Sequence, residues 1–314
     1  MDDTARMLIF RGLHSLDKQS VALTIGNFDG IHLGHQALLQ QLSAAAQSLK
    51  LPTAVLVFEP HPREFFTPEE APARLSSLRE KLDFFATLGV DRVHVCRFDH
   101  ALSQMSAHDF VCALCERTAA QFVLVGDDFR FGNRRSGDLD LIERVGGTRG
   151  LTVSAMSGVL HDDVRVSSTR VRAALLDGDL SAAQRYLGRP YSISGRVVYG
   201  DGLGSQLGFP TANIQLKHNR PPLTGIFVVR VQGEGMPPMQ GVASLGVRPT
   251  INQSGRHVLE VYIFNFSSKI YNQHLRVDFL HKLRDEEKYP DLESLTKQIA
   301  LDAENAKQWF KQND

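Results

Sequence analysis

The stretch Val21-Ala22-Leu23-Thr24-Ile25-Gly26-Asn27-Phe28-Asp29-Gly30-Ile31-His32-Leu33-Gly34-His35 decides how the first half of the chain is read. Val21 to Ile25 is a short, continuous apolar run, the pattern of a strand buried on both faces. The glycines that follow permit tight turns and close approach of backbone to a ligand. Leu33 to Leu49, rich in Leu, Ala and Gln, then reads as a helix. A helix that opens directly after a strand leaves its first N–H groups free to meet phosphate. His32 and His35 are three apart, so both face one side of that first turn. The carboxyl end of a strand is where α/β sheets bind ligands.

Working outward, the same texture recurs. Thr53 to Phe58, Val93 to Phe98, Phe122 to Val125 and Leu151 to Met156 are further apolar runs. Arg74 to Leu88 and Ala107 to Thr118 have helical spacing between them. Strands alternating with helices predict an α/β domain with a doubly wound parallel sheet. The texture changes at Leu187-Gly188-Arg189-Pro190, a helix end followed by a breaker. Beyond it come Ile193 to Tyr199, Gly225 to Val231, Val242 to Val247, Val258 to Phe264 and Leu275 to Leu280. Closely spaced strands without helices predict a small antiparallel barrel. Pro290 to Phe310 reads as a closing helix. The expected domains are 1–187 and 188–314.

Composition narrows the function classes. Lys+Arg and Asp+Glu are both 35, so no global field draws in nucleic acid or a membrane surface, and any anion site is local. The 3 Cys are an odd number, against a disulfide framework and for a reducing compartment. Met1 to Phe10 lacks the apolar core of a secretory signal. The longest apolar runs, such as Ala54 to Phe58, are too short to cross a bilayer. A cytoplasmic protein with small-molecule partners, as a monomer or transient oligomer, is expected.

A second motif, Val166-Ser167-Ser168-Thr169-Arg170-Val171-Arg172, reads as another helix start, with Ser167 or Ser168 as N-cap. Hydroxyls, helix N–H groups and Arg170 can surround phosphate there. Together the His-x-Gly-His and the Ser-to-Arg run resemble the nucleotidyltransferase superfamily. The resemblance implies that ATP is held by Gly26, Phe28, Asp29, Gly30, Ser167, Ser168 and Thr169. It also implies that a phosphate acceptor attacks the α-phosphorus and pyrophosphate leaves. An acceptor phosphate is already anionic and needs no general base. Alignment and charge neutralisation are the protein's task, for which His32, His35 and Arg170 are suited.

Two loops bear on the acceptor. Glu59-Pro60-His61-Pro62-Arg63-Glu64-Phe65-Phe66 follows the second strand, and Gly126-Asp127-Asp128-Phe129-Arg130-Phe131-Gly132 the fourth. Pro60, Pro62, Phe66 and Phe131 can form a flat apolar slot for an aromatic ring system, with Asp128 fixing its polar atoms. In order and spacing, 24–35, 58–66, 126–132 and 167–172 resemble the bacterial bifunctional riboflavin kinase/FAD synthetase family. This implies that the first half adenylates FMN to FAD.

In the second half, Gly200-Asp201-Gly202-Leu203-Gly204 is no dinucleotide fingerprint, because its surroundings look β and no helix is expected after it. Leu207-Gly208-Phe209-Pro210-Thr211-Ala212-Asn213 is more informative. Thr211 and Asn213 offer hard oxygen donors of the kind Mg²⁺ accepts beside phosphate, although such a run is also a common turn. With Gly246-Val247-Arg248-Pro249-Thr250, Leu259-Glu260-Val261-Tyr262 and Leu283-Arg284-Asp285-Glu286, the order resembles a riboflavin kinase domain. The resemblance implies a six-stranded barrel, ATP with Mg²⁺ at Thr211 and Asn213, and Glu260 as base. It also implies nucleotide contacts at Gly195 and Gly208 and substrate contact at Arg284. An inward carboxylate on an alternating strand such as that of Glu260 is costly unless paired or used.

The chain departs from the family pattern at Leu203-Gly204-Ser205-Gln206, where basic residues are usual. It departs again at Ser244, usually Asn, and at Asn272, usually Gly. Cys112 and Cys115, with His108 one turn before, read as a helix face rather than a metal or redox site. The alternatives are a nucleotidyltransferase for another phosphorylated acceptor, and a non-catalytic flavin sensor. The first has no need of Pro210 to Asn213 with Glu260. The second has no need of intact His32, His35, Thr211, Asn213 and Glu260.

Overall fold

In the computed structural model, residues 7–14, 19–217, 220–248 and 256–313 are described. The chain divides by contacts into two units, Met1–Pro72 with Leu78–Ser167, and Ala73–Ser77 with Ser168–Asp314.

The first unit runs β1 (Leu8–Arg11), β2 (Val21–Ile25), α1 (Leu33–Leu49), β3 (Thr53–Glu59), α2 (Pro62–Phe66), α3 (Leu78–Thr87), β4 (Arg92–Arg97), α4 (His100–Gln104), α5 (Ala107–Thr118), β5 (Ala120–Gly126), α6 (Leu139–Gly147), β6 (Thr152–Met156), and the short pair β7 (Leu160–His161) and β8 (Val164–Arg165). Its sheet has the order β1-β4-β3-β2-β5-β6, with every pairing parallel. All five residues of β2 are buried, as its apolar run requires. α1 turns Leu38, Leu39, Leu42 and Ala46 inward. Phe85 of α3 is fully buried beside Phe28, which contributes about 1.5–3 kcal/mol at a side chain of this size.

β1 and α6 escape the sequence reading. β1 is an edge strand and mostly exposed, so it lacks a continuous apolar signal. α6 is short and capped by Asp138, whose side chain accepts from the Leu141 N–H at 3.1 Å. The helix expected from Arg74 begins only at Leu78. Ala73–Ser77 belongs with the second unit instead, where Leu75 is buried in the core and the Ala73 carbonyl accepts from Arg172 Nε at 2.6 Å.

The second unit runs α7 (Ser168–Leu176), α8 (Leu180–Leu187), β9 (Tyr191–Val198), α9 (Leu203–Gln206), β10 (Thr211–Ile214), β11 (Gly225–Gly233), β12 (Met236–Arg248), β13 (Arg256–Ile263), β14 (His274–Arg284) and α10 (Leu292–Asn313). The six strands close as β10-β13-β12-β11-β14-β9. Phe227, Val229, Ala243, Leu245, Leu259, Val261, Val277 and Phe279 are buried in its core. Val171, Leu175, Ala183 and Leu187 of α7 and α8 share that core. The contact division therefore falls after Ser167, ahead of the change of texture at residue 187. The sixth strand, β10, is the Thr-Ala-Asn-Ile segment that the sequence presents as chemistry. A single helical turn, α9, follows the glycines where none is expected. Its 4 residues lie amid strands, unlike the long helix a dinucleotide fingerprint opens. Within the expected motif at 246–250, Pro249 and Thr250 lie outside the described residues, as do Met1 to Arg6 of the N-terminal stretch.

Candidate active sites

In the first unit, the loop after β2 is held in unusual backbone. Phe28 has φ 48°, Gly30 φ 81° and Ile31 φ 40°. A positive φ at a β-branched residue is a strained conformation, of the kind found where a loop is shaped for function. His32 caps α1, its Nδ1 accepting from the His35 N–H at 3.4 Å. The two imidazoles stack, with centroids 3.8 Å apart and planes 19° apart. Gly34 makes this possible, because a Cβ there would lie 3.1 Å from the His32 ring. The His35 pKa lies well below the ordinary value, chiefly through burial and then through repulsion from His32 and Lys81. His35 is thus a neutral imidazole at neutral pH, and its buried Nδ1 has no hydrogen-bond partner among the described residues.

The expected residues around this pair divide. Gly26, Asp29 and Gly30 belong to the loop itself. Phe28 is fully buried, its ring packed 4.9 Å from that of His35 and 5.4 Å from that of Phe85. Ser167 closes the first unit. Ser168, Thr169 and Arg170 open α7 in the second, with Thr169 and Arg170 exposed.

The ring slot also divides. Pro60 follows a cis peptide, and Pro62 opens α2, capped by His61. Phe66 is 60% exposed, with its ring against Phe65 and Phe98 at 5.3 and 5.6 Å. Phe131 is not in that cluster. It is buried, with Phe110 and Phe129 each 5.4 Å away, because Gly132 and Gly137 bring its turn against Ala107. The groove beside Phe66, about 720 Å³, is lined instead by Ser106, Asn133, Arg134 and Ser136. Asp128 is held by Arg165 at 2.9 Å, a partner that periodicity gives no means of finding.

In the second unit, a cavity of about 580 Å³ gathers Thr211, Asn213, Ser244, Glu260 and Arg284. Strand register explains this. Glu260 is directly opposite Asn213 on β10 and Ser244 on β12. Leu259 and Val261 are fully buried in the core, so alternation turns Glu260 to the outer face of the barrel, not inward. There, α9 and Leu295 and Ile299 of α10 complete the cavity. Gly200 leaves room for the Asn213 amide, which a Cβ would overlap, and Gly204 leaves room for Thr211, whose Oγ1 a Cβ would approach to 3.0 Å.

Several expected contacts find other reasons. Gly195 is not on the cavity wall, and a Cβ there would collide with the Gln215 carbonyl and Ile214, so the glycine serves strand crossing. Gly208 has φ 85° and supplies a left-handed turn between Leu207 and Phe209, which do line the cavity. Arg284 makes a bidentate pair with Asp302, Nε–Oδ1 2.9 Å and Nη2–Oδ2 2.6 Å, so its guanidinium first ties α10 to β14. Glu286, which the sequence gives no role, is also a wall residue. Its carboxylate accepts from Ser244 Oγ at 3.3 Å and occupies the space that the absent Cβ of Gly246 leaves open. Asn272 has φ 66°, a conformation Asn tolerates nearly as glycine does. Cys112 Sγ lies 3.7 Å from His108 Nδ1 on α5, and the described residues contain no group of three or more His, Cys, Asp or Glu able to hold a metal ion.

Two family models match successive parts of the chain. The FAD synthetase family matches residues 14–170 and the riboflavin kinase family residues 187–310. The chain is similar to the bifunctional riboflavin kinase/FMN adenylyltransferase of Pseudomonas fluorescens, 46% identical over 96% of this chain and 97% of that protein. To the protein of the same name from Escherichia coli K12 it is 42% identical over 97% and 98%. To that of Haemophilus influenzae it is 43% identical over 97% and 99%. A crystal structure described as a macrolide-efflux protein from Streptococcus pneumoniae superposes with TM-score 0.81 at 26% identity, covering 96% of this chain and all of that one. No helix among the described residues of the present chain is long and apolar enough to cross a membrane. The chain belongs to the family of bifunctional riboflavin kinase/FMN adenylyltransferases.

Proposed function

We propose that the chain converts riboflavin to FMN and FMN to FAD, each step using one ATP. Family membership supports both reactions. Phosphoryl transfer is assigned to residues 188–314 and adenylyl transfer to residues 1–187. The observation that carries the reading furthest is the single cavity holding Thr211, Asn213 and Glu260. A base in that cavity takes the proton of the riboflavin 5′-hydroxyl as its oxygen attacks the γ-phosphorus of ATP, and ADP leaves. Such general-base action is worth about 10²–10⁴ in rate.

The donor set there fits Mg²⁺. A hydroxyl and an amide oxygen are hard ligands, too few to cage an ion unaided, and Mg²⁺ is commonly held by one or two protein groups with substrate phosphates. Thr211 and Asn213 would hold it, and its charge would neutralise that developing on the phosphates.

In adenylyl transfer, the FMN phosphate attacks the α-phosphorus of ATP and pyrophosphate departs. His35, neutral, donates a hydrogen bond without adding charge, and His32 is the group assigned to the phosphates. Pro60, Pro62 and Phe66 are assigned to the flavin. The free Cys96, Cys112 and Cys115 suit a reducing cytoplasm. Chromatography of products from riboflavin, ATP and Mg²⁺ tests the proposal. FMN followed by FAD is expected, and absence of both products contradicts it.

A further inference from the structure

The groove beside Phe66 carries a feature that neither motif predicts. Its wall is the turn Gly132-Asn133-Arg134-Arg135-Ser136-Gly137, which leaves β5 and returns through the bridge between Phe131 and Gly137. Arg134 has φ 54° and Arg135 φ 58°. Two successive non-glycine residues in the left-handed region are uncommon, and such strain persists only where surrounding contacts fix it.

Those contacts are present. Gly132 and Gly137 press against Ala107, where a Cβ on either would come within 2.8 Å. Asn133 donates from its backbone N–H to the Met105 carbonyl at 2.9 Å and from Nδ2 to Gln104 Oε1 at 3.0 Å. The turn is therefore anchored to the start of α5 and to α4, and Arg134 is carried on a fixed support. Arg134 is exposed and lines the groove with Phe66. Among the described residues its guanidinium makes no ion pair or hydrogen bond. Arg135, next to it, is not on the groove wall.

An exposed aromatic face and an uncommitted guanidinium on one groove form a recognition pair. The ring takes the face of a planar heterocycle, and the guanidinium takes acceptor oxygens at that heterocycle's edge. We propose that Arg134 is a specificity-determining residue of the adenylyl-transfer site. Its guanidinium donates to the carbonyl oxygens of the flavin's dione ring while Phe66 receives the ring face. This rests on the flavin reading of the first unit and adds a residue to it.

The test is steady-state FAD formation from FMN and ATP by the full chain, comparing wild type with Arg134→Ala, Arg134→Lys and Arg135→Ala. Losing a charged hydrogen bond of this kind costs about tenfold or more in binding. Arg134→Ala is expected to raise the KM for FMN at least tenfold, leaving the KM for ATP unchanged. Arg134→Lys recovers only part, because an ammonium lacks the fork. Arg135→Ala behaves as wild type. Lumichrome, which has the ring but no phosphate chain, is the second probe. Its inhibition of FAD formation weakens in Arg134→Ala by the same factor as FMN binding. An unchanged KM for FMN overturns the inference, as does a raised KM with unchanged lumichrome inhibition, which would make Arg134 a phosphate contact. If the wild type itself makes no FAD from FMN, the underlying flavin reading fails instead.

Discussion

The stacked imidazoles of His32 and His35, 3.8 Å between centroids, cannot both carry a proton without strong repulsion. Burial, with repulsion from His32 and Lys81, disfavours charge on His35.

This arrangement gives a pH dependence. An unfolded histidine takes up a proton near pH ~6.5, whereas folded His35 does so only well below that. Between those values the unfolded chain binds more protons. Its contribution to stability is complete above pH ~6.5 and falls as pH drops towards the folded pKa, by up to about 1.4 kcal/mol per unit. His94 and His257 are shifted the same way, chiefly by burial. Thermal melting from about pH 7.5 down to about 5.5, a window of about two units, is expected to show a steeper fall in wild type than in His35→Gln. Equal slopes contradict the assignment of a neutral His35.

Gly200 and Asn213 make a second prediction. A methyl group at residue 200 overlaps the Asn213 amide. Gly200→Ala and Asn213→Ala are both expected to raise the Mg²⁺ concentration that half-saturates FMN formation, by about tenfold for a lost ligand. FAD formation from added FMN stays unchanged. Magnesium titration of the two activities separates these outcomes.

Arg284 and Asp302 make a third. The pair is largely buried, with side chains 20% and 6% exposed. Removing one partner strands the other, at a cost on the order of 3 kcal/mol. Asp302→Ala is expected to lower the melting midpoint followed by fluorescence of Trp309, which lies on α10 and stacks on His281 at 5.9 Å. Riboflavin binding weakens with it, because Leu295 and Ile299 of the same helix line the cavity. An unchanged midpoint removes Arg284 as an anchor and returns it to the substrate.

Much of the fold is legible in the sequence because burial writes itself as pattern. β2 is continuous and apolar because both its faces are covered, and α1 and α5 begin and end where their residues indicate. β1 is not legible, since an edge strand with exposed Leu8 and Ile9 carries no such signal. The His32–His35 pair could be read from spacing, because three residues make one helical turn. Glu260 is legible as a strand residue, but the inward face expected of it is overturned by register, which turns it outward beside Asn213 and Ser244. The placement of Phe131 and of Arg134 is not legible in the sequence. One is buried and the other exposed through a turn whose shape depends on Gly132 and Gly137 meeting Ala107, a contact between segments well apart in sequence.

The central claim is that two separate sites in one chain perform two successive reactions. It is tested most directly by chromatography after supplying riboflavin or FMN, with ATP and Mg²⁺, to wild type, Glu260→Gln and His32→Ala. The account predicts that Glu260→Gln stops FMN formation but still makes FAD from FMN, and that His32→Ala makes FMN but accumulates it. If either substitution abolishes both reactions in a folded chain, or leaves its own reaction intact, the assignment of the two sites is contradicted.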